Sequence, residues 1–348
     1  MKIQLWVIVI LAATIVVLLY PLTKPQPFIF FLLIIIFTDI IVSIGLNLLI
    51  GYAGIFFVSP GLFVGVGGYA AGWLSVNAGL SPFVSIFIGG VVALISSLMF
   101  SLVSGRLRGF YMAVYSVIFT LLLGTVFIHT EEWIMYWTGG PFGILDIPDI
   151  HVGGLSFRNF AGAPYYYFTF SLVLISIVLV RKLLRSNFGL ALRTIRDEET
   201  YAATLGVDAF RVRLYIFSIA SFLMGISGAI AGHFLGAFGL STFTFTQLLH
   251  YHFQVVVGGI GSFTGPIIGG FLMDIYDEAL ATYGVYLLLG KGIIIITVLI
   301  FMPRGIAGYF EDLLASKRGL TAKPIPTILL QKIKESLRTP PHKRVLST

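Results

Sequence analysis

The chain contains no cysteine in 348 residues, and little charge: 22 Lys+Arg and 15 Asp+Glu, 11% of the sequence. The first absence excludes disulfides, thiolate catalysis and Cys-ligated metal, and leaves the compartment open. The second excludes an ordinary soluble domain, in which about a quarter of residues are charged. The phosphate-binding signature G-x-x-x-x-G-K-[ST] is also missing. The only Gly-Lys pair is Gly290-Lys291, followed by Gly292, and Gly259-Ile260-Gly261 lacks the lysine and hydroxyl that phosphate and magnesium need. No Ser/His/Asp set stands at a workable spacing, and on a helix His250 and His252 point their rings about 200° apart. We therefore expect no catalytic residue and no metal site.

What is present is apolar: 57% of residues are hydrophobic, and the mean hydropathy is +0.99. Runs bounded by Pro, Gly or charge predict spans near 4–21, 27–49, 60–78, 82–104, 110–129, 164–182, 213–237, 246–259, 265–281 and 285–303. At roughly 20 residues per crossing this is an all-α polytopic membrane protein of about ten transmembrane helices. The run 246–259 is short for a crossing and reads as tilted or re-entrant. The run 4–21 reads as a retained first helix, because Leu11-Ala12-Ala13 lies inside it rather than at a cleavage site beyond it.

Charge sets the orientation. With a cytoplasmic amino terminus, Lys2, Arg106, Arg108, the bases from Arg181 to Arg213 and those from Arg304 to Arg344 fall inside, 19 of the 22. Lys24, Arg158 and Lys291 remain. Both termini are thus expected in the cytoplasm, and the pI of 9.5 reads as topology rather than nucleic-acid affinity. The stretch 130–163, with Glu131, Glu132, Asp146 and Asp149, becomes an extracytoplasmic loop whose closing Tyr165, Tyr166 and Tyr167 suit the interfacial belt. Residues 1–303 form the transmembrane domain. Residues 304–348 form a basic cytoplasmic tail with weak attraction to membrane lipid.

Glycine, 39 residues, is placed in register. Gly228, Gly232 and Gly236 recur every four residues, as do Gly261, Gly265 and Gly269, with Gly61/Gly65 and Gly68/Gly72 as further pairs. Such stripes let helix backbones come close. Two stretches interrupt helices outright: Gly51-Tyr52-Ala53-Gly54 before Ser59-Pro60-Gly61, and Gly258-Gly259-Ile260-Gly261-Ser262 before Gly265-Pro266. Irregular backbone at membrane depth is tolerated only where protein or a water-filled path satisfies it, so both are candidate path or gate elements.

Between the sixth and seventh spans, 184–212 predicts an amphipathic helix. Ser186 or Asn187 caps its start, Gly206 closes it, and Phe188, Leu192, Ile195, Ala202 and Leu205 form one stripe. Arg193, Arg196, Asp197, Glu198 and Thr200 lie opposite, with Arg193 and Asp197 spaced to pair. A connector needs only about two to eight residues. A capped helix here is better read as a docking surface for a soluble partner.

Asp39, Asp274 and Lys291 fall at membrane depth, where each costs roughly 2.5–3.5 kcal/mol. They are either structural, with Asp274 pairing Lys291, or part of the path. Asp277 and Glu278 are expected nearer the outer mouth, solvated. An ion- or proton-coupled secondary transporter is the rival reading, with Asp39, Asp274 and Lys291 as its carriers.

In order along the chain, Asn47-Leu48-Leu49 with Gly51-Tyr52-Ala53-Gly54, Phe63 with Gly65, Gly67 and Tyr69, and Thr138-Gly139-Gly140 with Gly143 are followed by Phe188-Gly189 through Arg193 to Gly206. Gly225 with Gly228-Ala229, Val257 to Pro266, and Pro303-Arg304-Gly305 complete the set. This resembles the permease subunits of branched-chain amino acid ATP-binding-cassette importers over about 45–305. The resemblance implies an inner-membrane subunit that pairs with a second, homologous permease and with two cytoplasmic ATP-binding subunits. Substrate would arrive from an extracytoplasmic solute-binding protein. ATP and Mg would be bound by the partners, and no cofactor by this chain. It makes 188–206 the cytoplasmic coupling helix, with Phe188, Gly189, Arg193, Arg196, Asp197, Glu198, Glu199, Ala202 and Gly206 as coupling residues. It places Asn47, Gly51, Tyr52, Gly54, Tyr69, Gly258, Gly259, Gly261, Ser262 and Pro266 along the path or gate. One departure concerns 55–60, Ile-Phe-Phe-Val-Ser-Pro, where the family usually carries polar residues. The substrate is then a branched-chain amino acid or a related small organic solute such as urea or a short amide.

Overall fold

The computed structural model describes residues 26–105, 107, 109–128, 132–152, 155–157 and 163–309. The expected first span at 4–21 and most of the 304–348 tail lie outside the described residues. Among the described residues the regular elements are helices, apart from a two-residue antiparallel pair, β1 His151–Val152 and β2 Leu155–Ser156. It divides into two units, Met1–His252 and Phe253–Thr348.

The first unit begins with α1, Pro27–Asn47, which runs without interruption into a π turn, Leu48–Tyr52. Pro27 starts it, where a missing N–H costs nothing. There follow α2 Pro60–Val76, α3 Pro82–Ser104, α4 Phe110–Ile128, the short α5 Glu132–Thr138, and α6 Ala163–Arg185. Next come α7 Asn187–Asp197, α8 Glu199–Thr204, α9 Ala209–Leu235 and α10 Phe245–Gly258, the last ending across the unit boundary. Pro also opens α2 and α3. The N-cap of α9 is Asp208, whose carboxylate accepts from the amides of Phe210 and Arg211 at 3.0 and 3.2 Å.

Helix α9 is the hub of this unit, packing against α3, α2 and α1. Small residues make that possible. A Cβ at Gly67 of α2 would lie 2.4 Å from the Cα of Gly225 in α9, and one at Gly228 would lie 2.1 Å from the carbonyl oxygen of Val64. The glycine pairs on α2 work differently from the expected helix stripe. Gly65 and Gly68 leave room for the rings of Phe243 and Phe238, which belong to the segment between α9 and α10. Gly236 is left-handed, at φ 75°, and ends α9 rather than extending its stripe.

The described part of the 130–163 loop is tied down. Ile144 pairs with Phe238 in an isolated bridge, and the buried Tyr165 hydroxyl donates to Asp149 Oδ1 at 2.7 Å while lying 3.1 Å from the carbonyl oxygen of His233. This corrects the interfacial-belt expectation for Tyr165 and Tyr166, both of which are fully buried; only Tyr167 is exposed. A tyrosine in a near-membrane position lies inward when a buried acceptor waits for its hydroxyl.

The second unit contains α11 Gly265–Leu280 and α12 Val285–Phe301. Its core is Val257, Met273 and Val298, with Phe253, Ile294 and Ile295 packed around them. Among the described residues, six helices are long and apolar enough to cross a membrane: Pro27–Tyr52, Pro82–Ser104, Phe110–Phe127, Ala163–Arg185, Ala209–Leu235 and Tyr286–Tyr309. The protein is a multi-pass membrane protein by these spans. Helices α2, α10 and α11 coincide with further expected spans but have only 17, 14 and 16 residues.

Candidate functional site

The predicted 188–206 helix is in fact two. Helix α7 ends at Asp197, Glu198 takes an extended conformation (φ −158°, ψ 107°), and α8 starts at Glu199. The break divides the expected stripe: Leu192, Ile195 and Ala202 are buried, whereas Leu205 is 59% exposed. Ser186 occupies the N-cap of α7 without capping it, because its hydroxyl donates to the carbonyl of Leu183 at 2.6 Å. Gly189 makes the tight turn out of α6 possible, since a Cβ there would lie 2.4 Å from the carbonyl oxygen of Leu184. Gly206, left-handed at φ 79°, follows α8 as expected.

Arg196, on the last turn of α7, reaches the first candidate gate. Its guanidinium Nη1 donates to the carbonyl oxygen of Gly51, inside the π turn that closes α1. That carbonyl belongs to the last turn of a helix, where oxygens lack intrahelical donors; the arginine supplies one from another element. Gly54 lies beneath the same side chain. It is left-handed, at φ 66°, and a Cβ on it would come within 2.8 Å of Arg196 Cγ. Two expectations that the sequence kept apart, a docking surface and a path element, thus meet at Arg196, Gly51 and Gly54.

From Gly54 to Ser59 the chain is neither helix nor strand, and the Phe57 amide donates to the Ile55 carbonyl at 2.8 Å. Phe57 is fully buried, its ring stacked on Phe63 at 5.6 Å and edge-on to Phe217 and Phe100 at 5.5 and 5.8 Å. The amide of Val58 donates to Ser116 Oγ at 3.2 Å. His252 lies between two carbonyl oxygens, Nδ1 2.7 Å from Leu248 and Nε2 3.2 Å from Phe57. Of the apolar residues that depart from the resembled pattern, Phe57 thus packs into an aromatic cluster, whereas Phe56 is 53% exposed. Asn47 and Tyr52 are buried on the α1 end, and Tyr69 is buried in a box of Phe127, Phe238 and Phe243. The Tyr69 hydroxyl has no hydrogen-bond partner among the described residues.

A second contact fixes α8. Glu199 and Arg213 form an ion pair at 2.8 Å, with side chains 24% and 18% exposed, and Arg213 Nη1 also lies 3.4 Å from the carbonyl oxygen of Gly105. Arg193 and Asp197 are both exposed, and the pairing on this surface runs between Glu199 and Arg213 instead. Between the α7/α8 break, the segment after Gly54 and the end of α3 lies a cavity of about 260 Å³. Arg213 was not among the expected residues. Its only signal was a position one turn past the Asp208 cap.

In the second unit the other gate sequence is a turn. Gly259 and Gly261 take φ of 122° and 74°, and Ser262 donates both its amide and its hydroxyl to the Gly259 carbonyl, at 3.2 and 2.9 Å. Gly261 is therefore not part of a helical stripe with Gly265 and Gly269. Pro266 sits at the start of α11. The turn abuts Gly305, where a Cβ would lie 2.2 Å from the Cα of Gly259, so the Gly258-Gly259 and Arg304-Gly305 motifs are one backbone-to-backbone contact.

The intramembrane charges have partners inside the protein. Lys291 donates to Asp277 at 2.6 Å, and Asp274 accepts from the Gln254 amide at 2.6 Å. Asp277, one helical turn beyond Asp274 along α11, is thus an acceptor for the Lys291 ammonium that the sequence pattern does not assign to it. Asp277 is held in an ion pair rather than simply solvated. Asp39 in α1 lies 3.2 Å from His250 Nε2.

A family model described as branched-chain amino acid transport system / permease component matches residues 28–303. Over 301 residues the chain is 27% identical to the high-affinity branched-chain amino acid transport system permease protein LivM of Escherichia coli (strain K12), covering 80% of this chain and 70% of that protein. The same figures hold for LivM of Salmonella typhimurium. It is also 26% identical over 294 residues to the probable branched-chain amino acid transport permease protein LivH of Methanocaldococcus jannaschii, covering 79% of this chain and 90% of that one.

Proposed function

We propose, since the chain belongs to the permease-component family of branched-chain amino acid transport systems, that it is the membrane permease subunit of an ATP-binding-cassette importer for branched-chain amino acids. It spans the cytoplasmic membrane about ten times, counting the short helices and the 4–21 run, with both termini in the cytoplasm. Similarity to both LivM and LivH proteins supports an assembly of two related permeases. Two ATP-binding subunits supply ATP and Mg, and an extracytoplasmic binding protein delivers the solute.

The observation that carries this reading furthest is the hydrogen bond from Arg196 to Gly51. Helices α7 and α8 form the surface on which an ATP-binding subunit rests. The clasp at Arg196 passes a displacement of α7 directly to the end of α1, and so to the irregular segment after Gly54. Transport by this device needs no charged carrier in the spans, which fits the internal partners of Asp274 and Lys291.

The test is to purify the chain from its native membrane and reconstitute what copurifies. A second permease and ATP-binding subunits should come with it, and the assembly should take up leucine only with ATP and a binding protein. Purification of the chain alone, with uptake driven by an ion or proton gradient, would overturn the proposal.

A further inference from the structure

The cavity between the α7/α8 break and the end of α3 has a wall of mixed charge and a wall of hydrocarbon. Arg196, Arg213, Asp197, Glu198 and Glu199 line one part, with Arg196 committed to Gly51 and Glu199 to Arg213, and Ile55, Met112 and Phe217 line another. At about 260 Å³ it is below the roughly 300–1,000 Å³ of drug-sized pockets, which restricts it to small solutes. Ser104 also lines it, and its hydroxyl is buried without a hydrogen-bond partner among the described residues. A buried hydroxyl left unsatisfied is costly unless something else completes it.

The lining selects among ligands. A simple anion would face Asp197 and Glu198, and a simple cation would face Arg213. An apolar solute would leave the Ser104 hydroxyl unanswered. We propose that this cavity binds an aliphatic α-amino acid as its zwitterion. The carboxylate is taken by Arg213 and the Ser104 hydroxyl, the ammonium by Glu198 and Asp197, and the side chain by Ile55, Met112 and Phe217. Arg213 has donors beyond those it gives to Glu199 and Gly105, since a guanidinium carries five. Resting on the importer reading above, this is a product site: the transported solute, accumulated on the cytoplasmic side, binds against the break in the coupling element and slows further import.

The experiment uses the full chain alone in lipid nanodiscs and measures equilibrium binding of leucine, isovalerate and isoamylamine, the last two each lacking one charge. Leucine should bind saturably, and each analogue should bind about tenfold more weakly, the loss of one charge-assisted contact. Ser104→Ala should weaken leucine binding about threefold, the worth of one neutral hydrogen bond, and Met112→Trp, which fills the cavity, should abolish it. Absence of saturable binding at millimolar leucine, equal binding of the analogues, or leucine binding unaffected by Ser104→Ala overturns the proposal. Binding by the isolated chain is read without any partner subunit, so it fails or succeeds independently of ATP-driven uptake.

Discussion

The guanidinium of Arg196 donates to the carbonyl of Gly51, a residue 145 positions earlier in the chain. It joins the end of an amphipathic surface helix to the end of a long apolar one, at the point where each loses its regular hydrogen bonds. The same side chain covers Gly54, so the contact is both a hydrogen bond and a steric fit.

Arg196→Met keeps much of the side chain's volume and removes the donor. We expect ATP-driven uptake by the reconstituted assembly to fall about tenfold, the worth of one hydrogen bond from a charged group, while ATP hydrolysis and copurification of the partners persist. Unchanged uptake would show that the clasp carries no coupling.

Glu199→Arg places two guanidinium groups together at the start of α9. Uptake should fall while the chain still reaches the membrane, and the double exchange Glu199→Arg with Arg213→Glu should recover at least half of it. A double variant no better than the single one would deny the pair a role.

Lys291→Met leaves the Asp277 carboxylate without its partner at 2.6 Å. Thermal denaturation in detergent should show a loss of about 3–5 kcal/mol if the site excludes water as a buried pair does, and Asp277→Asn in the same chain should restore most of it. Asp274→Asn keeps an oxygen that accepts from Gln254, so a loss of stability in this variant measures what the charge of the carboxylate contributes beyond that bond.

Tyr165→Phe removes the donor to a buried carboxylate. A loss of about 1–3 kcal/mol is expected, together with faster proteolysis of the 130–163 loop in intact vesicles. Equal stability of the two proteins would mean that the loop is held mainly by the bridge between Ile144 and Phe238.

Span positions were legible because a bilayer demands long apolar runs and Pro marks their starts: Pro27, Pro60 and Pro82 each open a helix where expected. The family, too, was legible, since its glycines stand where backbones touch. Pairing was not. Asp274, Asp277 and Lys291 are close enough in sequence to allow either acid beside the ammonium, and the 2.6 Å contact of Lys291 with Asp277 depends on how α11 and α12 face each other, which sequence spacing does not give. The break at Glu198 was hidden because helix propensity is weak beside a tertiary contact such as that of Glu199 with Arg213. Arg196 was singled out for its exposed charge, and its partner was a backbone carbonyl, which sequence pattern does not mark.

The hub position of α9 has a consequence for synthesis. Helices α1, α2 and α3 end at Asn47, Val76 and Ser104, whereas α9 begins only at Ala209. The faces that α9 will cover therefore wait in the bilayer while the intervening chain is translated. Those faces carry Gly67, Gly89 and Ala93, groups that lipid tails tolerate as well as protein does. Helices α2 and α3 carry no charged residue and can stand beside one another in the bilayer, whereas Asp39 in α1 waits longer still, until its partner His250 is made after α9.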